Sequence, residues 1–266
     1  MGNEEGWRLL KKAVFRIYGD LNLLVETVKP SREVTVTFRG RQTTKHLIES
    51  LGVPHTEIGL ILAGGEAVDF GYIPCGGERL AVFPYFERFD FLPLENYQPP
   101  FSGKPRFALD GHLGRLAAYL RMLGFDAIYR NHIDDEELAK MAARENRILL
   151  TRDRGLLKRK EITLGCCLLS LEPRQQLVQV ARRYGLRDYM EPFTRCMACN
   201  GPLLPAPKAE IFPWLEPKTR KYFNDFKRCA ECGKVYWAGS HHKRMLELIA
   251  WLQRQLDNPD EESPGI

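Results

Sequence analysis

The sequence predicts an α/β chain in which an α+β segment leads into a parallel-sheet domain and then into a small cysteine-built module. Three observations carry this. From Arg106 onward short apolar runs alternate with helical stretches, which is the signature of βαβ units and a parallel sheet. Ahead of them, residues 11–95 read as strands, one helix and further strands. Behind them, Cys196-x-x-Cys199 and Cys229-x-x-Cys232 make two matched pairs.

The elements follow in order. "AVFRIYG" (Ala13–Gly19) and "REVTVTFRG" (Arg32–Gly40) alternate like paired strands. "TTKHLIESLG" reads as a helix: Thr43 or Thr44 caps its start, Leu47, Ile48 and Leu51 form a stripe, and Gly52 stops it. "GLILAGGEAVDF" is a strand and turn, and "ERLAVFPYF" a last strand. "YQPPFSGKP" (Tyr97–Pro105) has the prolines and glycines of a linker.

In the second segment "RFALD", "FDAIYRN", "RILLT" and "GCCLLS" read as strands. Between them lie "HLGRLAAYLRMLG", with Leu113, Leu116, Ala117, Leu120 and Leu123 at helical spacing, and "DDEELAKMAAREN", whose first-turn acids suit the helix dipole. "PRQQLVQVARRYG" adds a helix with Pro173 in its first turn. "MLELIAWLQRQL" is an amphipathic closing helix, and "DNPDEESPGI" a disordered acidic tail. The expected organisation is 11–95, a linker at 96–105, a parallel-sheet domain at 106–190, a cysteine module at 191–246, and a helix and tail at 247–266.

Composition narrows the partners. The chain has 266 residues, 44% hydrophobic and 27% charged, and no apolar run approaches the ~20 residues that span a bilayer. "MGNEEGWRLLKK" carries acids where a secretion signal is basic, so a cytoplasmic location without membrane attachment is the expectation. Residues 100–190 hold 17 Lys and Arg against 11 Asp and Glu, a balance of +6 where the whole chain carries +5. A basic middle segment suits a polyanion, with Arg115, Arg121, Arg152, Arg154 and Lys158 as phosphate contacts. After the second cysteine pair, "KVYWAGSHHKRM" mixes aromatics with cations and offers His241 to stacked bases and phosphates, whereas Trp237 reads as packing for the module.

In an open parallel sheet the ligand crevice lies beyond the carboxyl ends of the strands. Asp110 ends the first strand, Asp134 and Asp135 follow the second, and Asp153 follows the third. Carboxylates gathered at one edge repel one another unless a cation sits among them, and an oxygen-rich set suits Mg²⁺ or Mn²⁺. Each aspartate also reads as a helix cap, Asp134 above all. The cysteine pairs are two knuckles of a closed four-cysteine site, which is a structural zinc site; Asn200-Gly201 and Gly233 supply the tight turns. The 29 residues between the pairs exceed the usual ~15–20, so an inserted hairpin or loop is expected around "PKAEIFPWLEPKTRKYF". Cys75 stands alone, and Cys166 and Cys167 sit side by side in a strand-like run.

"ALDGHLGRLAAYLRMLGFDAIY", "DDEELAKMAARENRILLTRDRGLLKR", "RCMACNGPL" and "CAECGKVYWAGSHHKRM" together resemble the Mut-seven C-terminal RNase domain family over about residues 104–246. That family has a PIN-like fold with a zinc ribbon. The resemblance implies metal-dependent hydrolysis of RNA phosphodiester bonds, with Asp110, Asp135 (or its neighbours Asp134 and Glu136) and Asp153 holding Mg²⁺ or Mn²⁺. A fourth acidic position is filled here by Ser170 and Glu172, neither of which matches it surely. The first segment resembles ubiquitin-like β-grasp domains related to the sulfur carriers of thiamin and molybdopterin synthesis. Those carriers end in Gly-Gly, but Gly64-Gly65 and Gly76-Gly77 lie inside this chain, so docking or scaffolding is expected in place of carriage. A non-catalytic RNA- or ribosome-binding module and a protein-interaction adaptor working through the β-grasp domain are the other readings.

Overall fold

Ala13, Phe15 and Ile17 alternate with more exposed residues, and this period of two puts three fully buried side chains on one face of β1 (Leu10–Ile17). The computed structural model describes residues 10–26, 33–84 and 103–257. These divide into two compact units, one of residues 10–84 with Thr151–Cys167, the other of residues 103–150 with 168–257.

In the first unit β2 (Glu33–Arg39) pairs antiparallel with β1. Helix α1 (Thr44–Ser50) is capped by the Thr43 hydroxyl, which accepts from the His46 amide at 3.3 Å, and it buries Leu47 and Ile48. Gly52 stops it at φ +99°, where a Cβ would lie 2.8 Å from the Leu24 carbonyl oxygen. β3 (Ile58–Ala63) and β4 (Glu66–Val68) form a hairpin turned by Gly64-Gly65, both in the left-handed region. β5 (Arg79–Pro84) then inserts parallel to β1 and antiparallel to β3, giving the order β2-β1-β5-β3-β4. This is a mixed β-grasp sheet with one helix.

In the second unit β6 (Phe107–Leu109), α2 (Gly114–Met122), β7 (Ala127–Tyr129), α3 (Asp135–Arg144) and β8 (Ile148–Thr151) alternate as expected. β6 lies parallel between β7 and β8, with Leu109 level with Tyr129 and Leu150. All three β6 residues are buried, as a sheet covered on both faces requires.

The chain then contributes to the first unit. Helix α4 (Arg154–Leu157) and β9 (Gly165–Cys167) belong to a strap tied to the β-grasp residues by polar contacts. Arg154 donates to the Leu24 carbonyl at 3.0 Å and Lys158 to the Glu49 carbonyl at 2.9 Å. His55, 8% exposed, lies 2.7 Å from both the Glu49 carboxylate and the Ile162 carbonyl oxygen. The buried Glu57 carboxylate accepts from the Cys167 amide.

Back in the second unit, α5 (Pro173–Arg183) starts on Pro173 and buries Leu177, Val178, Val180 and Ala181. The cysteine module is a three-stranded antiparallel sheet in the order β10 (Leu203–Pro205), β11 (Phe226–Cys229), β12 (Val235–Trp237). The long insertion differs from the expected hairpin or loop: it folds as α6 (Lys208–Ile211), a 3-10 turn at Phe212–Trp214, and α7 (Pro217–Tyr222). Pro213 and Pro217 lack the amides a hairpin ladder needs, and Pro217 instead opens a helix. Ala206, Ile211, Leu215 and Phe226 form a small core beneath it.

The closing helix also differs. α8 runs Ser240–Asp257, so it begins at Ser240, ahead of Met245 where the run "MLELIAWLQRQL" starts, and His241 to Arg244 lie in its first turns. Extending an existing helix fixes one residue per hydrogen bond, and the polar "SHHKR" residues need no burial for that. No helix among the described residues is long and apolar enough to cross a membrane. Residues 96–102 of the expected linker and 258–266 of the expected tail lie outside the described residues.

Candidate functional site

Each cysteine pair sits on a tight turn. After Cys196 the chain reverses through Asn200 at φ +77°, with the Asn200 amide donating to the Cys196 carbonyl at 2.9 Å and the Cys196 amide to the Gly201 carbonyl at 2.8 Å. The second turn repeats this with Gly233 at φ +72°, whose amide donates to the Cys229 carbonyl at 3.1 Å. The turns bring the four sulfurs within 4.8 Å of one another, with Cys196 to Cys232 at 3.6 Å and Cys199 to Cys229 at 3.4 Å. Tetrahedral thiolates at the ~2.3 Å zinc–sulfur distance lie roughly 3.8 Å apart, so the donor set fits zinc. Burial raises the Cys196 thiol's pKa, but the Tyr236 hydroxyl at 3.1 Å and the Cys199 and Ala198 amides outweigh it and bring it to about 6. Thiolate-directed donors of this kind stabilise a bound, deprotonated ligand.

The first knuckle is held from behind. Arg121, only 4% exposed, donates to the carbonyls of Ala127 at 2.8 Å, Met197 at 3.1 Å and Ala198 at 2.8 Å. Asn200 accepts from the Ala127 amide at 3.0 Å and donates to the Asp126 carboxylate at 2.7 Å. Asp126 in turn forms a two-pronged pair with Arg147 at 2.8 and 3.0 Å. Burial pushes the Asp126 carboxyl up, yet the Arg147 and Asn200 hydrogen bonds and the Arg147 and Arg195 charges hold it below the usual carboxylate range. Arg121, Asp126, Arg147 and Asn200 thus form one network from β7 to the knuckle. Only Arg121 stood among the expected functional residues, and as a phosphate contact; the structure buries it instead among backbone carbonyls. Charged residues flanking apolar strands, Asp126 before "AIY" and Arg147 before "ILL", were the available signal.

The strand-end acids are placed as follows. Asp110 follows β6; its amide donates to the Leu150 carbonyl at 3.1 Å, and its own carbonyl accepts from Leu113. Asp134 caps α3, accepting from the Glu137 amide at 2.7 Å, and Asp135 and Glu136 are exposed on that helix's first turn. Asp153 caps α4, accepting from the Gly155 amide at 2.7 Å. Ser170 and Glu172 lie ahead of α5, where the Ser170 hydroxyl accepts from the Glu172 amide at 3.0 Å. Among the described residues, the four cysteines are the one group of three or more metal-ligating side chains gathered closely enough to share an ion.

The expected cations fare differently. Arg115, Arg152 and His241 are exposed, whereas Arg154 and Lys158 spend their donors on the strap contacts.

Comparison with known proteins gives two family matches. Residues 105–249 match the model of the Mut7-C RNAse domain, and residues 10–90 that of the Mut7-C ubiquitin domain. A human protein, the exonuclease mut-7 homolog, is 37% identical over 101 residues, covering 36% of this chain and 12% of the relative, so the chain spans only a small part of that protein's length. Two crystal structures of small archaeal modifier protein 1 from Haloferax volcanii match with 22% identity. They cover 28% and 29% of this chain and 97% and 99% of theirs, at TM-scores of 0.23 and 0.24.

Proposed function

The chain belongs to the Mut7-C RNAse domain family, and on that premise we propose that it is a metal-dependent ribonuclease that hydrolyses RNA phosphodiester bonds. The observation that carries this reading is the family match over residues 105–249, which takes in Asp110, Asp135, Asp153 and all four cysteines. Topology supports it: each of these aspartates follows the carboxyl end of one of three parallel strands, where ligands of open α/β sheets bind.

In this reading Asp110, Asp135 and Asp153 hold Mg²⁺ or Mn²⁺, an ion that keeps several waters and needs only one or two carboxylates. Such an ion polarises the phosphoryl group and supplies an activated water. Arg115 and Arg152, both exposed, contribute charge to the RNA backbone. The zinc of the four-cysteine site is structural, because protein fills all four positions. The β-grasp domain acts as a scaffold in this reading; its glycine pairs lie inside the chain, where they offer no terminal carboxylate for carrier chemistry.

A non-catalytic RNA-binding module has one observation in its favour: Asp134 and Asp153 are both engaged as helix caps. Incubating full-length, zinc-loaded protein with end-labelled RNA, with and without added Mn²⁺, separates the two. The nuclease reading expects Mn²⁺-dependent cleavage that the Asp110→Asn/Asp153→Asn variant lacks. Binding without cleavage in any divalent ion would leave the module.

A further inference from the structure

Beside the cysteine cluster, and entirely within the second unit, a cavity of about 670 Å³ opens between the module's sheet, the start of α8 and the end of α2. That volume is in the range of small-ligand sites. Its lining is mostly apolar, with aromatic rings among aliphatic side chains such as Met122, Leu203 and Met245, and it also holds cations. Trp237 on β12 is 40% exposed, so it does not pack the module's interior as its sequence suggested. In the same lining, Phe193 and His242 lie ring to ring, with centroids 4.5 Å apart and planes tilted by 37°. Arg195, Lys208 and Lys227 stand in the same lining against a single carboxylate, Asp225.

Two backbone features hold the rings where they are. Phe193 sits at φ +60°, a region that bulky residues avoid, and is pinned there by its amide donating to the Met122 carbonyl at 2.9 Å and its carbonyl accepting from Lys227 at 2.9 Å. Backbone strain of this kind persists where surrounding contacts over-determine it, and it clusters at binding sites. Gly239 leaves room for the indole: a Cβ there would lie 2.9 Å from Trp237 Nε1.

We propose that this cavity receives an unpaired nucleobase of single-stranded RNA, stacked between Trp237 and the Phe193–His242 pair, with Lys208 and Arg195 beside the flanking phosphates. The chemistry selects this occupant. A nucleotide offers a flat π-face and an anion a few ångströms apart, which suits rings and cations in one lining; Lys208 meanwhile donates to the Asn224 side chain and Arg195 to the Asn200 carbonyl, both at 2.9 Å. The inference rests on the RNA-directed reading above and adds to it the place where the strand is gripped. The grip belongs to the zinc module and the ion to the strand-end aspartates, so holding and cutting are separate tasks.

The test uses full-length, zinc-loaded protein carrying Asp110→Asn/Asp153→Asn, so that no RNA is consumed. A fluorescein-labelled single-stranded oligoribonucleotide is compared with an abasic strand of the same length by anisotropy. The intact strand should bind more tightly, and Trp237→Ala should weaken it about tenfold, in line with the value of one stacked base, while leaving the abasic strand unchanged. Trp237→Phe should retain most of the affinity. Lys208→Gln should weaken both strands and flatten the salt dependence. Equal affinity for intact and abasic strands, an unaffected Trp237→Ala variant with its zinc in place, or no binding of the intact strand would overturn the proposal. Failure of the nuclease reading would show separately, as wild-type protein that cleaves nothing in Mn²⁺.

Discussion

The Arg121 guanidinium donates to the Ala198 carbonyl at 2.8 Å and to the Met197 carbonyl at 3.1 Å, so α2 holds the first cysteine knuckle by its backbone. One side chain on the parallel-sheet layer therefore fixes the turn on which two of the four thiolates sit. The planar guanidinium reaches three carbonyls at once; an ammonium is a point charge on a flexible stem.

Arg121→Ala should accordingly destabilise the protein by about 3 kcal/mol, because buried carbonyls lose charged donors without gaining water. Zinc should also leave faster to a chromogenic chelator, since metal binding and folding of the module are coupled. Arg121→Lys should recover little of either. Urea denaturation and the rate of zinc release measure the two effects, and wild-type zinc retention in Arg121→Ala would show that the knuckle stands without its support.

Asp126 makes the same network sensitive to acid. Its native pKa lies below the unfolded value of ~3.9, so between the two the unfolded chain binds more protons. Its contribution is complete above the unfolded pKa and is lost as pH falls through the native one. Asp126→Asn should be less stable than wild type at pH 6, because it strips the nearly buried Arg147 of its two-pronged partner. The difference should narrow as pH falls below ~4. Glu145, also held low by Arg147 and Arg144, titrates in both proteins and so largely cancels from the difference. Urea midpoints from pH 6 to pH 3 test this, and a constant gap would mean that Asp126 carries no acid linkage.

These contacts mark where sequence reading stops. The cysteine cluster was legible because ligand type and spacing are local, and Asn200 and Gly233 announce the positive φ that each turn requires. The strands and helices were legible from their periods of 2 and 3.6. Arg121 was not, because a cation among the leucines of an amphipathic helix reads as surface until the facing loop is known. Asp126, Arg147 and Asn200 meet across 74 residues of chain, which no period encodes. Phe193's positive φ has no composition signal at all, since the sequence shows a bulky residue where glycine would be expected. The strap was half legible: Asp153 read as a helix cap, but nothing showed which partner would accept Arg154 and Lys158.

That partner leads to a prediction for the β-grasp unit. His55 lies 2.7 Å from both the Glu49 carboxylate and the Ile162 carbonyl oxygen, so its ring ties α1 to the strap. His55→Ala should speed amide exchange across residues 151–167 by roughly tenfold, the loss of about one buried hydrogen bond. The β1–β5 sheet amides should be unaffected. Unchanged exchange in the strap would mean that α4 and β9 hold it without the histidine.

The strap carries Asp153, and the last prediction separates that residue's two roles. As the cap of α4, Asp153 accepts from the Gly155 amide at 2.7 Å, and an asparagine oxygen can do the same. Asp153→Asn should therefore change stability by no more than about 0.5 kcal/mol. If Asp153 is also an ion ligand, the substitution removes the charge while leaving the cap, and Mn²⁺-dependent cleavage of RNA should fall by roughly a hundredfold or more. RNA affinity should persist and weaken with rising salt, because exposed cations such as Arg115 and Arg152 are untouched. Asp153→Ala completes the comparison: it should lose the cleavage and also about 1 kcal/mol of stability, the worth of the cap. Cleavage surviving in Asp153→Asn would reduce this aspartate to a helix cap and move the search for the ion's ligands to Asp110 and the first turn of α3.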